Sequence, residues 1–115
     1  MIPNRTQRLG ELLKKEITAI ISRRVRDPRI GFITINEVEV KADLKSAVVY
    51  YTVIGNDEEK EKTAAALKKS AGFIRRELML GHLSVKSMPS LVFKYDTSLD
   101  YGERIDTVLK KLKYL

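Results

Sequence analysis

The sequence predicts an α+β fold, with helices packed on one face of a three-stranded sheet. Stretches with apolar residues at spacings of three and four residues, typical of helices, alternate with stretches rich in β-branched residues, typical of strands. The short stretch DLKS joins the first two strands, which makes them an antiparallel hairpin. The predicted order is helix, strand, strand, helix, helix, strand and terminal helix, in one domain over residues 1–115.

The first helix is predicted over about residues 4–26. Asn4 is suited to cap it. Its buried face is marked by a stripe of apolar residues, namely Leu9, Leu12, Leu13, Ile17, Ile20 and Ile21. Pro28 ends the helix, because the residue before a proline is pushed out of helical geometry.

The hairpin strands are predicted over about residues 32–41 and 46–54. In the first of them the apolar residues change parity, from Ile33 and Ile35 to Val38 and Val40. Either a β-bulge lies near residues 36–37, or both faces of this strand are partly covered. The residues alone do not decide between these two interpretations.

A kinked pair of helices is predicted over about residues 57–80. Asn56 or Asp57 caps its acidic first turn, and Gly81 is suited to a left-handed C-terminal position. Gly72 lies at the centre of the run LKKSAGFIRREL, where a glycine costs about 1 kcal/mol relative to alanine. Such a glycine usually marks a kink, a cap or a close approach by another group, and we expect Ser70-Ala71-Gly72 to interrupt the helix.

The last two elements are a strand over about residues 91–95 and a helix over about residues 99–113. Pro89 stands just before the strand, at a position where proline is tolerated. The inward face of the terminal helix is predicted to carry Ile105, Val108, Leu109 and Leu112.

The charge balance indicates a polyanionic partner. Lys and Arg outnumber Asp and Glu by 22 to 15, for a net charge of +7, and they crowd RRVRDPR, LKKSAGFIRR and LKKLK. Solvated lysines are the simpler alternative. The N-terminal stretch lacks the apolar core of a signal peptide and no run is long enough to span a membrane, so we expect a cytoplasmic protein without membrane contact.

Catalytic chemistry has little support in the sequence. Cysteine is absent, His82 is the single histidine, and no glycine-rich phosphate loop follows a strand. A metal site could be formed by Asp96, Asp100 and Glu103. Capping and ion pairing at the start of the last helix explain these three residues better. We therefore predict no enzyme, no catalytic residue, no cofactor, no metal and no small-molecule substrate.

The long helix carries a candidate nucleic-acid site. Opposite an apolar stripe, a rotation of about 100° per residue places Lys68, Lys69, Arg75 and Arg76 together. Gly72 lies among them and would let a phosphate backbone come close, while Ser70 could cap the second half of a broken helix. A solvated face, with a glycine that lets kinked helices pack tightly, explains the same residues equally well. Tyr50, Tyr51 and Tyr95 could stack on bases, although core packing explains them more simply.

The element order resembles that of a type II KH domain, a fold that usually clamps single-stranded RNA with a GxxG loop between paired helices. Here GxxG is absent, and Ser70-Ala71-Gly72 occupies the joint. This replacement is similar to that in the ribosome-binding factor A family. The other matching motifs are DPRIGFITI, VEVKADLKSAVVYYTVIG, SAGFIRREL and MPSLVFKYDTSLDYGERID.

The resemblance implies a non-enzymatic factor that binds the free or immature small ribosomal subunit (30S) through its 16S rRNA, assists late rRNA processing and matters for growth in the cold. No long apolar seam demands a dimer, so we expect a monomer. The expected RNA-binding residues are Lys68, Lys69, Ser70, Ala71, Gly72, Arg75 and Arg76, with further contacts from Arg23, Arg24, Arg26, Arg29 and Lys86. The alternatives are a generic KH-like binder of single-stranded RNA and a protein-interaction module with a basic face.

Overall fold

The computed structural model describes residues 4–23, 25, 30–81 and 88–98. In chain order the elements are α1 (Arg5–Arg23), β1 (Phe32–Val40), β2 (Ser46–Ile54), α2 (Asp57–Leu80) and β3 (Ser90–Tyr95). Two helices and a mixed three-stranded sheet confirm the predicted α+β class. The predicted terminal helix, with Asp100 and Glu103, lies outside the described residues, as do Pro28 and His82.

The sheet has the order β1-β2-β3, with β1 and β2 antiparallel and β2 and β3 parallel. The hairpin turns tightly, because Leu44 adopts a left-handed φ of 61° and donates its N–H to the carbonyl of Lys41 at 2.8 Å. A parallel β3 requires a long crossover from β2. Helix α2, which lies between β2 and β3 in the chain, provides that crossover.

A β-bulge in β1 resolves the change of parity. Ile35 pairs with Tyr51 and Glu37 with Tyr50, so Asn36 is an extra residue between them. The extra residue shifts the pleat by one position. Ile35, Val38 and Val40 are consequently all buried, and the bulge is the correct one of the two interpretations.

One hydrophobic core lies between the helices and the sheet. Helix α1 packs mainly on β1, and α2 packs mainly on β3. The approach of α1 depends on Gly10, because a Cβ added there would collide with the carbonyl oxygen of Val38. Asn4 caps α1 by accepting a hydrogen bond from the N–H of Gln7 at 2.9 Å, as predicted.

Helix α2 is one helix of 24 residues, so the predicted break at Ser70-Ala71-Gly72 is absent. Its buried side keeps one phase through Gly72, from Leu67 before it to Ile74 and Leu78 after it. The glycine costs about 1 kcal/mol, whereas burying one large apolar side chain contributes about 1.5–3 kcal/mol. Packing along the whole length therefore outweighs the local preference for a break.

The residues at the two ends of α2 test the predicted helix caps. Asn56, and not Asp57, is the N-cap, and it forms a capping box in which its side chain accepts from the N–H of Glu59 at 2.8 Å. Gly81 follows the helix in extended geometry at φ −69°, so the predicted left-handed position is wrong. Its N–H donates to the carbonyl of Glu77 at 2.9 Å, which closes the last turn without a left-handed residue. In the described part of the chain, no helix is long and apolar enough to cross a membrane.

Candidate nucleic-acid interface

The side of α2 that faces away from the sheet carries an exposed basic surface. We call the surface formed by Lys68, Lys69, Gly72 and Arg76 the basic face; all four residues are exposed. A rotation of about 100° per residue places Gly72 almost opposite the buried Leu67 and Ile74. Each cation is within about one turn of the glycine, so the charges surround it.

Nothing inside the described chain requires a glycine at position 72. Its φ is not positive, and a Cβ added there would meet no atom within 4 Å. Gly10 is the contrasting case, because the backbone of Val38 excludes a side chain there. Among the described residues, tight helix packing therefore does not explain Gly72, and the missing side chain leaves room for an external group.

The cations of the basic face form no ion pair with a carboxylate among the described residues. Of the ion pairs found there, Lys41 with Glu39 and Lys62 with Glu58, neither involves this surface. Lysine and arginine side chains without carboxylate partners keep their full charge available to an anion.

Arg75 differs from its neighbour Arg76, because its guanidinium is half-buried and hydrogen-bonded inside the protein. Its Nη2 donates to the carbonyl of Met88 at 2.8 Å, and its Nε is 3.2 Å and 3.3 Å from the carbonyls of Met88 and Pro89. Met88 and Pro89 are buried just before β3. Arg75 thus ties α2 to the start of β3 and lies at the border of the basic face.

The other predicted site residues occupy varied positions. Ser70 and Ala71 are half-buried between the basic face and the core, and in an unbroken helix Ser70 does not cap a second helix. Arg23 is exposed at the last residue of α1, where a cation complements the helix dipole. The remaining four predicted residues, Arg24, Arg26, Arg29 and Lys86, lie outside the described residues.

Three apolar side chains beside the basic face escaped the sequence-based prediction. Phe73 is 40% exposed, and Met79 and Leu80 are 57% and 72% exposed at the end of α2. The helical spacing could have predicted the exposure of Phe73, because a rotation of about 100° from Ile74 places it outside the buried stripe. The prediction treated aromatic residues as candidates only on strands.

Tyr51 and Tyr95 pack in or against the core, as the simpler interpretation predicts, whereas Tyr50 is half-buried on the opposite face of the sheet. Tyr51 is 2% exposed and packs edge-to-face against Tyr95, with ring centroids 5.6 Å apart, and against Phe93 at 6.5 Å. Burial, and secondarily the nearby Tyr95, raises the pKa of Tyr51. Lys60 Nζ lies 5.1 Å from the centroid of the Tyr95 ring. Tyr51 is therefore too buried to stack on a base.

Asp96 lies just after β3, and the helix that it is predicted to cap lies outside the described residues. Its carboxylate accepts hydrogen bonds from Ser98 N at 3.0 Å and Ser98 Oγ at 2.7 Å, and from Asn36 Nδ2 at 2.8 Å. The hydrogen bonds from the Ser98 hydroxyl, the Asn36 amide and the Ser98 N–H hold the pKa of Asp96 below its ordinary value. Across the described ranges, no group of three His, Cys, Asp or Glu residues is arranged to hold a metal ion.

The architecture and the exposed basic helix define a class: a small KH-like α+β domain with a cationic helix surface. Within that class, the model of the family described as ribosome-binding factor A matches residues 5–109. The chain belongs to the ribosome-binding factor A family, which confirms the resemblance seen in the sequence.

Two relatives named ribosome-binding factor A show the extent of the similarity. The protein from Halothermothrix orenii is 49% identical over 109 residues, which are 95% of this chain and 88% of the relative. The protein from Macrococcus caseolyticus is 44% identical over 108 residues, or 94% of each chain. The similarity therefore includes nearly the whole sequence.

Solved structures share the fold. A solution structure from Thermotoga maritima, described as a ribosome-binding factor A, superposes with a TM-score of 0.73 at 29% identity, covering 85% of this chain and 93% of that one. The crystal structure of ribosome-binding factor A from Thermus thermophilus has a TM-score of 0.70 at 21% identity, covering 78% and 93%. A model of the Thermus protein, fitted into an electron-microscopy map of its complex with the 30S subunit, has a TM-score of 0.62 at 20% identity, covering 76% and 91%.

Proposed function

We propose that this chain binds the free or immature small ribosomal subunit by laying the basic face of α2 on 16S rRNA. There it assists late rRNA processing, with a role in growth in the cold. The family membership supports ribosome binding, and the Thermus protein of the same fold was fitted into a map of a 30S complex. The observation that carries the docking surface is the open space at Gly72, which lies among cations that have no carboxylate partner in the described part of the chain.

Contacts with phosphate groups explain how an exposed cationic helix can bind RNA. Lys68, Lys69 and Arg76 would each displace condensed counterions from the RNA, and the missing side chain at Gly72 would let the backbone approach the helix. Such contacts position a protein without reading sequence. The shape of the folded rRNA would supply the selectivity, and short generic oligonucleotides would bind poorly.

The proposal also includes the other predicted residues. Ser70, Ala71 and Arg75 border the basic face on α2, and Arg23, which is exposed at the end of α1, would add a phosphate contact. The four residues outside the described ranges, Arg24, Arg26, Arg29 and Lys86, would add phosphate contacts. We also propose that the chain acts in the cytoplasm as a monomer, by binding alone, without catalysis, cofactor or metal.

Co-sedimentation across a salt series tests the proposal. Wild type and the variants Arg76→Glu and Lys69→Glu are mixed with purified free small subunits, assembled ribosomes and short single-stranded RNAs. Lys94→Glu is the matched control, because Lys94 is exposed on the opposite face of the sheet and the change in charge is the same. We expect salt-sensitive binding to free subunits that both α2 variants weaken and the control retains.

The other outcomes identify the competing functions. Equal binding to short oligonucleotides would favour a generic KH-like RNA binder. Subunit binding that salt and both charge reversals leave unchanged would place the contact on another face. Binding to no RNA would contradict the proposal and favour a protein-interaction module.

A further inference from the structure

Phe73 is an aromatic side chain that is only partly buried. The buried stripe of α2 runs through Leu67, Ile74 and Leu78, whereas Phe73 lies outside it and is 40% exposed. A phenylalanine contributes most when it is fully buried. Its partial exposure beside the basic face therefore leaves part of its ring available to a partner.

The position of Phe73 on the helix surface is specific. With about 100° per residue, Lys69 and Arg76 fall between Gly72 and Phe73 around the helix. Helical side chains lean towards the N-terminus, so the ring of Phe73 lies over the turn that contains Lys69. From Gly72 to Phe73 the surface thus offers open backbone, two cations and an aromatic ring.

We propose that Phe73 stacks on the base of an unpaired nucleotide while Lys69 and Arg76 bind the phosphates that flank it. The inference rests on the proposed function and adds the class of RNA, which is a single-stranded or bulged segment within the subunit. Bases inside a continuous duplex are already stacked and cannot reach the ring. Every base has a π-face, so stacking adds affinity without demanding a sequence.

An apolar contact with a protein is the competing use of the same ring. Lys69 and Arg76, the neighbours of the ring, favour RNA, because neither has a carboxylate partner among the described residues. A protein partner would have to bury or neutralise both charges. The core of a protein interface is normally depleted of lysine. An RNA segment satisfies the cations and the ring together.

Affinity for purified free small subunits, measured across a salt series with variants of Phe73, tests the inference. Phe73→Trp retains an aromatic ring, whereas Phe73→Leu retains an apolar side chain without a π-face. We expect Phe73→Trp to bind at least as tightly as wild type and Phe73→Leu about tenfold more weakly. The slope of log affinity against log salt should stay unchanged in both, because no phosphate contact is lost.

Two further measurements make the result decisive. Thermal unfolding of both variants shows whether Phe73→Leu is folded at the binding temperature. A photo-crosslinking phenylalanine at position 73 should react with an unpaired rRNA nucleotide. The same group at Phe32, which is 82% exposed on the opposite face of the sheet, should not.

The outcomes separate this inference from the proposed function. If folded Phe73→Leu binds as well as Phe73→Trp, or the crosslink goes to a ribosomal protein, the stacking inference is wrong. The RNA-docking proposal still stands in that case if Arg76→Glu weakens binding and flattens the salt slope. If wild type fails to bind subunits, both are wrong.

Discussion

Asn36 and Asp96 are 60 residues apart in sequence, yet Asn36 Nδ2 donates a hydrogen bond to Asp96 Oδ2 at 2.8 Å. Asn36 is the extra residue of the β1 bulge, and Asp96 follows β3, so the bond reaches over the central strand β2. The N–H of Asp96 also donates to the carbonyl of Tyr51 on β2 at 2.7 Å. One short segment after β3 is therefore tied to both other strands.

The Asp96 carboxylate should make stability depend on pH in the acid range. Its pKa is lowered in the folded state from the ordinary value of 3.8, so the stabilisation is present above that value and is lost as pH falls through the folded pKa. We expect Asp96→Asn to be less stable than wild type near neutral pH and the difference to shrink at acid pH. Urea unfolding at a series of pH values measures this, with Glu61→Gln as a control at an exposed carboxylate on α2. A constant difference across the series would show that the Asp96 charge contributes nothing.

Gly10→Ala should destabilise the fold although alanine favours helices. A Cβ at position 10 collides with the carbonyl oxygen of Val38, and α1 cannot retreat without opening the core. Overpacking of this kind costs about 1–3 kcal/mol, against a gain of about 1 kcal/mol in helix propensity. The denaturation midpoint should therefore fall. A midpoint equal to that of wild type would mean that α1 shifts freely on β1.

Gly72→Ala should have opposite effects on stability and on binding. The added methyl group meets no atom of the protein, so the free energy of unfolding should rise by about 0.5–1 kcal/mol. The same methyl group would hold a phosphate backbone away from the helix, so affinity for free small subunits should fall. Denaturation and co-sedimentation of one variant test both effects. Greater stability with unchanged affinity would contradict a close approach at Gly72.

Arg75→Met and Arg76→Met should differ in stability despite being adjacent. Loss of the Arg75 guanidinium leaves the carbonyls of Met88 and Pro89 without these donors, which should cost about 1–3 kcal/mol. Arg76 is exposed, so its replacement should change stability by less than about 0.5 kcal/mol.

Salt-dependent binding completes this comparison. Arg76→Met should lower the salt slope of subunit binding by about one. Equal stability of the two variants would show that the hydrogen bonds of Arg75 contribute little.

Local sequence patterns predict the described helices and strands and the cations of the candidate surface on α2. Apolar spacing predicts α1, α2 and the strands, because periodicity is a property of residues only a few positions apart. The same spacing places Lys68, Lys69 and Arg76 opposite the core, and the motif SAGFIRREL indicates the family. For the same local reason the sequence predicts Asn4 as a helix cap and narrows the cap of α2 to Asn56 or Asp57.

The tertiary structure alone decided how these local features are used. Gly10 and Gly72 are both glycines within helices, yet one meets the backbone of β1 and the other meets solvent. Arg75 has the same charge as Arg76, yet its partners lie 13 and 14 residues away. Helix α2 continues through Gly72 because its two halves pack on one core. These outcomes depend on which distant surfaces come within contact distance, and spacing along the chain does not encode that.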